Sequence, residues 1–266
     1  MFIVKGKPVL RRFEHKKALG QHFLKSTDTA ERIVALLGDV QHKKVLEIGP
    51  GLGILTRHLK QTGADLYCSE LDERIIELLR SDLHIASDHI ITGDFLKADL
   101  HVFAADDLHI IGNFPYHISS QILFTVLDHK EGIPVVVGMF QQEMAERVCA
   151  VHGNKEYGVI TVLVQAYYDT ELVFTLPPDA FDPPPAVHSA VIRLIRKKEV
   201  PSCSMRMLRT VVKSAFNQRR KQLHNALKPV AGAGEILSAM GWSDKRPEQL
   251  SVENFIYLAT ALEEKK

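Results

Sequence analysis

Short β-branched runs alternate with helical patterns through the first two-thirds of the chain, and this alternation restricts the fold more than any other feature. The runs are KVLEIG (44–49), ADLYCSE (64–70), HIITGDF (89–95), LHIIGNF (108–114) and PVVVGMF (134–140), with helical stretches near 26–37, 53–61, 72–82, 118–128 and 141–150. Strand–helix alternation of this kind makes successive strands pair in parallel under helices on both faces. It predicts an α/β, Rossmann-like fold with a mostly parallel sheet. Two further runs, TVLVQAYY (161–168) and SAVIRLI (189–195), bring the expected strands to seven. No helical pattern separates these two, so an antiparallel hairpin is expected. Its connection, LPPDAFDPPPAV (176–187), is an extended, stiff loop because proline fixes φ.

The character changes after PSCS (201–204). MLRTVVKSAF places Leu208, Val211, Val212, Ala215 and Phe216 on one helical face, with Arg209 and Lys213 opposite. RRKQLHNALKP, AGEILSAMG and PEQLSVENFIYLATAL read as further helices. The expected organisation is a basic N-terminal arm (1–25), an α/β catalytic domain (26–200) and a small all-α domain (201–266).

Net charge is only +1, but it is segregated. Lys5, Lys7, Arg11, Arg12, Lys16, Lys17 and Lys25 face a single acid, Glu14, in the first 25 residues. Arg193, Arg196, Lys197, Lys198, Arg206, Arg209, Lys213, Arg219, Arg220, Lys221 and Lys228 are accompanied only by Glu199. Two basic stretches suit a polyanionic partner, because phosphate contacts release counterions. No apolar run approaches the roughly 20 residues that span a bilayer, so no membrane is expected. Cys68, Cys149 and Cys203 are far apart, which argues against a zinc site or a disulfide framework and for a reducing cytoplasm; no metal is expected.

Chemistry concentrates at the ends of the expected strands. VLEIGPGLGILT (45–56) feeds a strand into a glycine turn that opens a helix, and Gly49, Gly51 and Gly53 let backbone pass close to a ligand. No Lys-Ser/Thr follows, which excludes a P-loop. Glu70 ends the second strand, placed to take hydrogen bonds from ribose hydroxyls, with Leu71 beside it. Asp94 ends the third, placed to accept from an adenine amino group, with Phe95 adjacent. Without a basic cluster for a pyrophosphate, the pattern favours S-adenosylmethionine over NAD. Asn113-Phe114-Pro115-Tyr116 ends the fourth strand. An Asn carbonyl and the backbone carbonyl before the proline can both accept from an exocyclic amine, and a tyrosine ring can stack on the base. An adenine N6 lone pair is delocalised into the ring; two acceptors on its hydrogens favour the pyramidal, nucleophilic geometry.

At these residues the chain resembles the ribosomal RNA adenine-N6,N6-dimethyltransferases that modify small-subunit RNA. KKALGQHFLKS, LEIGPGLGILT, SELD, GDFL, GNFPYHISSQIL, QQEMAERV, YGVITVLVQ, FDPPPAVHSAV and FNQRRKQLHNAL carry the likeness over nearly the whole chain. The resemblance implies cofactor contacts at His22, Leu24, Gly49, Gly51, Glu70, Leu71, Asp94, Phe95 and Asn113. It implies a target adenine among Asn113, Phe114, Pro115 and Tyr116, with Phe181 as a second stacking ring. Lys16, Lys17, Arg219, Arg220 and Lys221 would contact RNA phosphates. His22 replaces the family's usual Asn, Phe114 its commoner Leu, and Ala186 and His188 stand where Lys and Asp are usual. The implied reaction dimethylates two adjacent adenosines in the 3′-terminal hairpin loop of small-subunit (16S) rRNA within an immature subunit, by a monomeric enzyme.

Three alternatives share the fold. An antibiotic-resistance-type enzyme would methylate one adenine of large-subunit RNA, but FDPPPAVHSAV followed by FNQRRKQL points to the small-subunit branch. A non-enzymatic assembly factor would have no need of Glu70, Asp94 and Asn113-Phe114-Pro115-Tyr116. A DNA adenine methyltransferase would need a separate sequence-reading domain, and none is visible.

Overall fold

The computed structural model describes residues 3–4, 7–8, 21–100, 103 and 107–265. Its strands in chain order are β1 (Ile3–Val4), β2 (Lys7–Pro8), β3 (Phe23–Leu24), β4 (Lys44–Ile48), β5 (Asp65–Glu70), β6 (Ile90–Thr92), β7 (His109–Asn113), β8 (Val135–Gln141), β9 (Tyr168–Leu176), β10 (Phe181–Asp182) and β11 (Ser189–Arg196). Seven of them form one sheet in the order β6-β5-β4-β7-β8-β11-β9. β4 to β8 pair in parallel, and β11 runs antiparallel to β8. The central strands are buried on both faces, as the unbroken apolar runs require: β7 shows His109 to Gly112 buried in succession. Chain order reverses between β4 and β7, which makes the crevice past their carboxyl ends the place where an open α/β sheet takes a ligand.

The helices fall where periodicity and capping put them. Thr27–Ala35 starts at Ser26, whose hydroxyl accepts from Thr29 N. Glu73–Ser81 starts at Asp72, which accepts from Arg74 N and turns Ile75, Ile76, Leu78 and Leu79 inward. The helix Ile54–Leu59 is entered from Gly53 at φ 75°, a left-handed conformation that glycine adopts without strain.

Two compact units result: residues 1–145 with 171–195, and residues 146–170 with 196–266. This differs from the continuous division at 200/201, because the run VITVLVQ is a helix, Val159–Gln165, and not a strand. A short apolar run does not reveal its own period, and Ile160 through Val164 are all buried. A helix apolar on every side needs cover all round. Within the second unit that cover includes the helix Met205–Asn217, with Tyr157 and Phe216 rings 5.9 Å apart. The strand expected at 161–168 instead begins at Tyr168 and neighbours β11 at the sheet edge. RRKQLHNALKP condenses to one short helix, Leu223–Ala226, before Ala233–Ala239 and Val252–Glu264 complete the unit. Among the described residues no helix is long and apolar enough to cross a membrane.

Candidate active site

A cavity of about 470 Å³ opens at the carboxyl ends of β4, β5 and β7, within the first unit. Its floor is the glycine turn, with Gly49, Gly51 and Gly53 at φ 67°, 54° and 75°. A β-carbon on Gly51 would lie 2.9 Å from the Phe23 ring, so only glycine lets β3 close over the turn. A β-carbon on Gly49 would meet nothing nearer than Asn113 O and Pro115 Cδ at 3.9 Å, so the bare backbone here borders open space beside the Asn113 turn.

Carboxylates line one side. Glu70 Oε1 accepts from Leu71 N (2.7 Å) and Asp72 N (2.9 Å). Burial pushes its pKa up against these bonds and one from the Gly51 backbone. Leu71 is 53% exposed beside it, an apolar surface on the cavity wall. Asp94 also lines the cavity, and its Oδ1 caps the turn Phe95–Lys97 by accepting from Leu96 N at 3.0 Å. The residue expected as a ligand thus also caps the turn that follows it. Phe95 is buried beneath it. Glu47 was not anticipated. It lies in β4, lines the cavity, accepts from Thr56 Oγ1 at 2.6 Å and has its pKa raised by burial to about 7. The signal was present, since an acid inside the apolar run KVLEIG has no place in a simple core strand.

β7 delivers the opposite wall. Asn113 Nδ2 donates to His22 O at 2.6 Å, which fixes the side-chain amide and leaves Oδ1 as an oriented acceptor. Phe114 is 1% exposed. Its ring occupies a seat left by two glycines: β-carbons on Gly112 and Gly138 would come within 2.8 Å and 2.4 Å of it. The ring packs edge-on against Phe140, centroids 5.1 Å apart. Phe114 can therefore serve a substrate only through its backbone carbonyl. Tyr116 shares a 2.5 Å hydrogen bond with Ser189 Oγ, and burial raises its pKa. His22 and Leu24 line the cavity too, and the His22 ring lies 22° from parallel to that of Tyr116, centroids 5.7 Å apart.

Phe181 departs from expectation. It pairs with Leu24 across β10 and β3, is 1% exposed and belongs to the core, outside the cavity lining. A two-residue strand paired on β3 turns one side chain in and one out, and the apolar ring goes in while Asp182 stays half-buried. Its ring therefore presents no face to the cavity for a base to stack on.

Lys16 and Lys17 lie outside the described residues. Arg219, Arg220 and Lys221 follow the helix Met205–Asn217 in the second unit. Arg219 donates to Asn154 O at 3.2 Å, while Arg220 and Lys221 line a cleft with Asn225 and Arg246.

The sheet order and the cavity at its switch point define a Rossmann-like methyltransferase, and solved structures agree. A dimethyladenosine transferase from Plasmodium falciparum matches with a TM-score of 0.80 at 25% identity, over 92% of this chain and 98% of that one. The 23S rRNA methyltransferase ErmE matches at 0.67 and 25% identity, over 89% and 99%. The ribosomal RNA small subunit methyltransferase A of Parabacteroides distasonis is 47% identical over 251 residues, 94% of either chain. That of Porphyromonas gingivalis is 46% identical over 259 residues, 96% of this chain and 100% of the other. Residues 12–261 match the family model for ribosomal RNA adenine dimethylase, and the chain belongs to that family.

Proposed function

We propose that this chain dimethylates N6 of two adjacent adenosines in the 3′-terminal hairpin loop of small-subunit rRNA, using S-adenosylmethionine, on an immature subunit in the cytoplasm. The observation that carries the reading is the meeting of the glycine turn, Glu70 and the fixed amide of Asn113 around one cavity.

The donor set fits S-adenosylmethionine. Left-handed glycines keep the floor free of β-carbons, an acid sits at the end of β5, and Leu71 offers apolar surface to a base, with Phe95 packed behind the wall. Glu70 would hold the ribose hydroxyls and Asp94 the adenine amine, with Gly49, Gly51, His22 and β3 closing over the rest. When bound, S-adenosylmethionine supplies an electrophilic methyl group. The chain's own task is then positioning. Asn113 Oδ1 and the Phe114 carbonyl accept the two N6 hydrogens of the target adenine, turning its lone pair out of conjugation. Tyr116 stacks on the base and keeps water from its face. The methylated N6 is acidic, so its proton passes to solvent without a dedicated base. After the first transfer one N–H remains for the two acceptors, which gives the second transfer its own rate. Lys16, Lys17, Arg219, Arg220 and Lys221 contribute phosphate contacts.

The test is transfer of labelled methyl groups by the purified monomer to free rRNA, mature subunits and immature subunits, with the modified positions mapped. Two dimethyladenosines near the 3′ end of small-subunit rRNA are expected. A single methylated adenine in large-subunit RNA would establish the other branch, and no transfer with RNA binding intact would establish an assembly factor.

A further inference from the structure

Of the residues that line the cavity, His22 and Tyr116 are both tied to one short segment. His22 Nδ1 lies 2.8 Å from Pro183 O; a carbonyl only accepts, so Nδ1 carries the hydrogen and donates. Tyr116 is bonded through its hydroxyl to Ser189 Oγ. Pro183 and Ser189 bound the run Pro183-Pro184-Pro185-Ala186-Val187-His188-Ser189, in which three consecutive prolines leave little torsional freedom. The far end of the run is anchored: Ser189 is fully buried, pairs with Gln141 of β8, and His188 O accepts from Gln142 N at 2.9 Å.

The two rings are nearly parallel with centroids 5.7 Å apart. A base slotted between them would need about 7 Å, two van der Waals separations of roughly 3.5 Å. The base must therefore stack on a free face of one ring, and the plane of that ring decides where N6 points. The hydroxyl of Tyr116 is directed at Ser189 and so serves orientation instead of substrate contact.

We propose that Ser189 is a positioning residue for the methyl transfer: its hydroxyl fixes the plane of Tyr116 while the Pro183 carbonyl fixes His22, so the proline segment sets the platform for the target adenine. This rests on the adenine-methyltransferase reading above. It assigns the segment a purpose that burial of Phe181 had left open, and it explains why position 116 carries a phenol where a plain phenyl ring would stack as well.

The experiment is a double-mutant cycle of Ser189→Ala and Tyr116→Phe. It is read as kcat and KM on the rRNA substrate, the Kd for S-adenosylmethionine and the thermal midpoint. Each single variant is expected to lose about tenfold in kcat, the scale of one buried hydrogen bond, with KM and Kd within about twofold of wild type. The double variant should lose no more than either single one, because all three lack the same bond. Losses that multiply to about a hundredfold, or an unchanged kcat in Tyr116→Phe, overturn the proposal. Ser189→Ala carries a buried change and can lower the thermal midpoint; Tyr116→Phe breaks the same bond from the cavity side and keeps the test open. Side-chain order parameters of ¹³C-labelled Tyr116 need no RNA. Lower order of the ring in Ser189→Ala than in wild type supports the brace, and equal order refutes it. A wild-type protein that transfers no methyl group would overturn the enzymatic reading alone, leaving the order parameter to decide the brace.

Discussion

A single methyl group added at Gly138 would press on the underside of the turn that carries Asn113. The β-carbon of Gly138→Ala would lie 2.4 Å from Phe114 Cε2 and 2.5 Å from Phe140 Cε2. Ordinary carbon contacts are about 3.5 Å, so the rings must retreat by roughly 1 Å. Phe114 is already packed against Phe140 and the Gly112 backbone, and its N–H donates to Met139 O at 3.2 Å. Overpacking of this kind costs about 1–3 kcal/mol, which for a chain of this length lowers Tm by roughly 3–10 °C. Because Phe114 precedes Pro115 directly, a shifted ring also displaces the backbone carbonyl proposed to accept from the adenine, and kcat should fall further than stability alone explains. Phe114→Leu removes the ring atoms that clash, at a cost of about 1–2 kcal/mol by itself. The double variant Phe114→Leu/Gly138→Ala should recover at least 1 kcal/mol relative to the sum of the singles, since the new methyl fills the vacated volume. Thermal melts of the four proteins, with single-turnover methylation alongside, measure this. Strictly additive losses, or Gly138→Ala melting like wild type, would refute the seat.

Other outcomes follow from the same geometry. Glu47 is held near 7 against an ordinary 4.5, so between these pH values the folded protein keeps a proton the unfolded chain has lost. Stability therefore falls as pH rises through that window, by about 3 kcal/mol, and Glu47→Gln should flatten the slope in Tm measured from pH 4.5 to 8 while keeping an acceptor for Thr56; an unchanged slope refutes this. Asn113→Ala should lower turnover by about a hundredfold or more with RNA affinity nearly unchanged, judged by kinetics and filter binding; equal losses in both would make it a folding residue. Converting Arg219, Arg220 and Lys221 together to Gln should weaken RNA binding and flatten its dependence on salt by roughly 2–3 in log–log slope; an unchanged slope removes them from the interface.

Much of the first unit was legible because strands buried on both faces leave continuous apolar runs, and because helices begin at Ser26 and Asp72, which cap them as such residues do. The glycine turn and the strand-end acids were legible for a related reason: chemistry collects where strands stop. What escaped notice depended on depth. VITVLVQ carries the same letters whether it is a buried helix or a buried strand, and only its neighbours in the second unit decide. Phe181 and Phe114 are aromatic residues in motif-rich loops, and the sequence does not say which way a ring turns; both turn into the core. Glu47 was overlooked because it stands inside a strand, whereas Glu70 ends one and Asp94 follows one.

The hydrogen bond from Asn113 Nδ2 to the carbonyl of His22 also dictates which residue that position tolerates. Aspartate matches asparagine in shape and also offers an acceptor to an amine. At position 113, however, it would set a carboxylate oxygen against the His22 carbonyl oxygen at a separation of 2.6 Å, two acceptors with no hydrogen between them. The strand that closes the cavity would be pushed away by the residue meant to receive the base. The choice of an amide at position 113 is thus made by the chain's own N-terminal segment, before any substrate arrives.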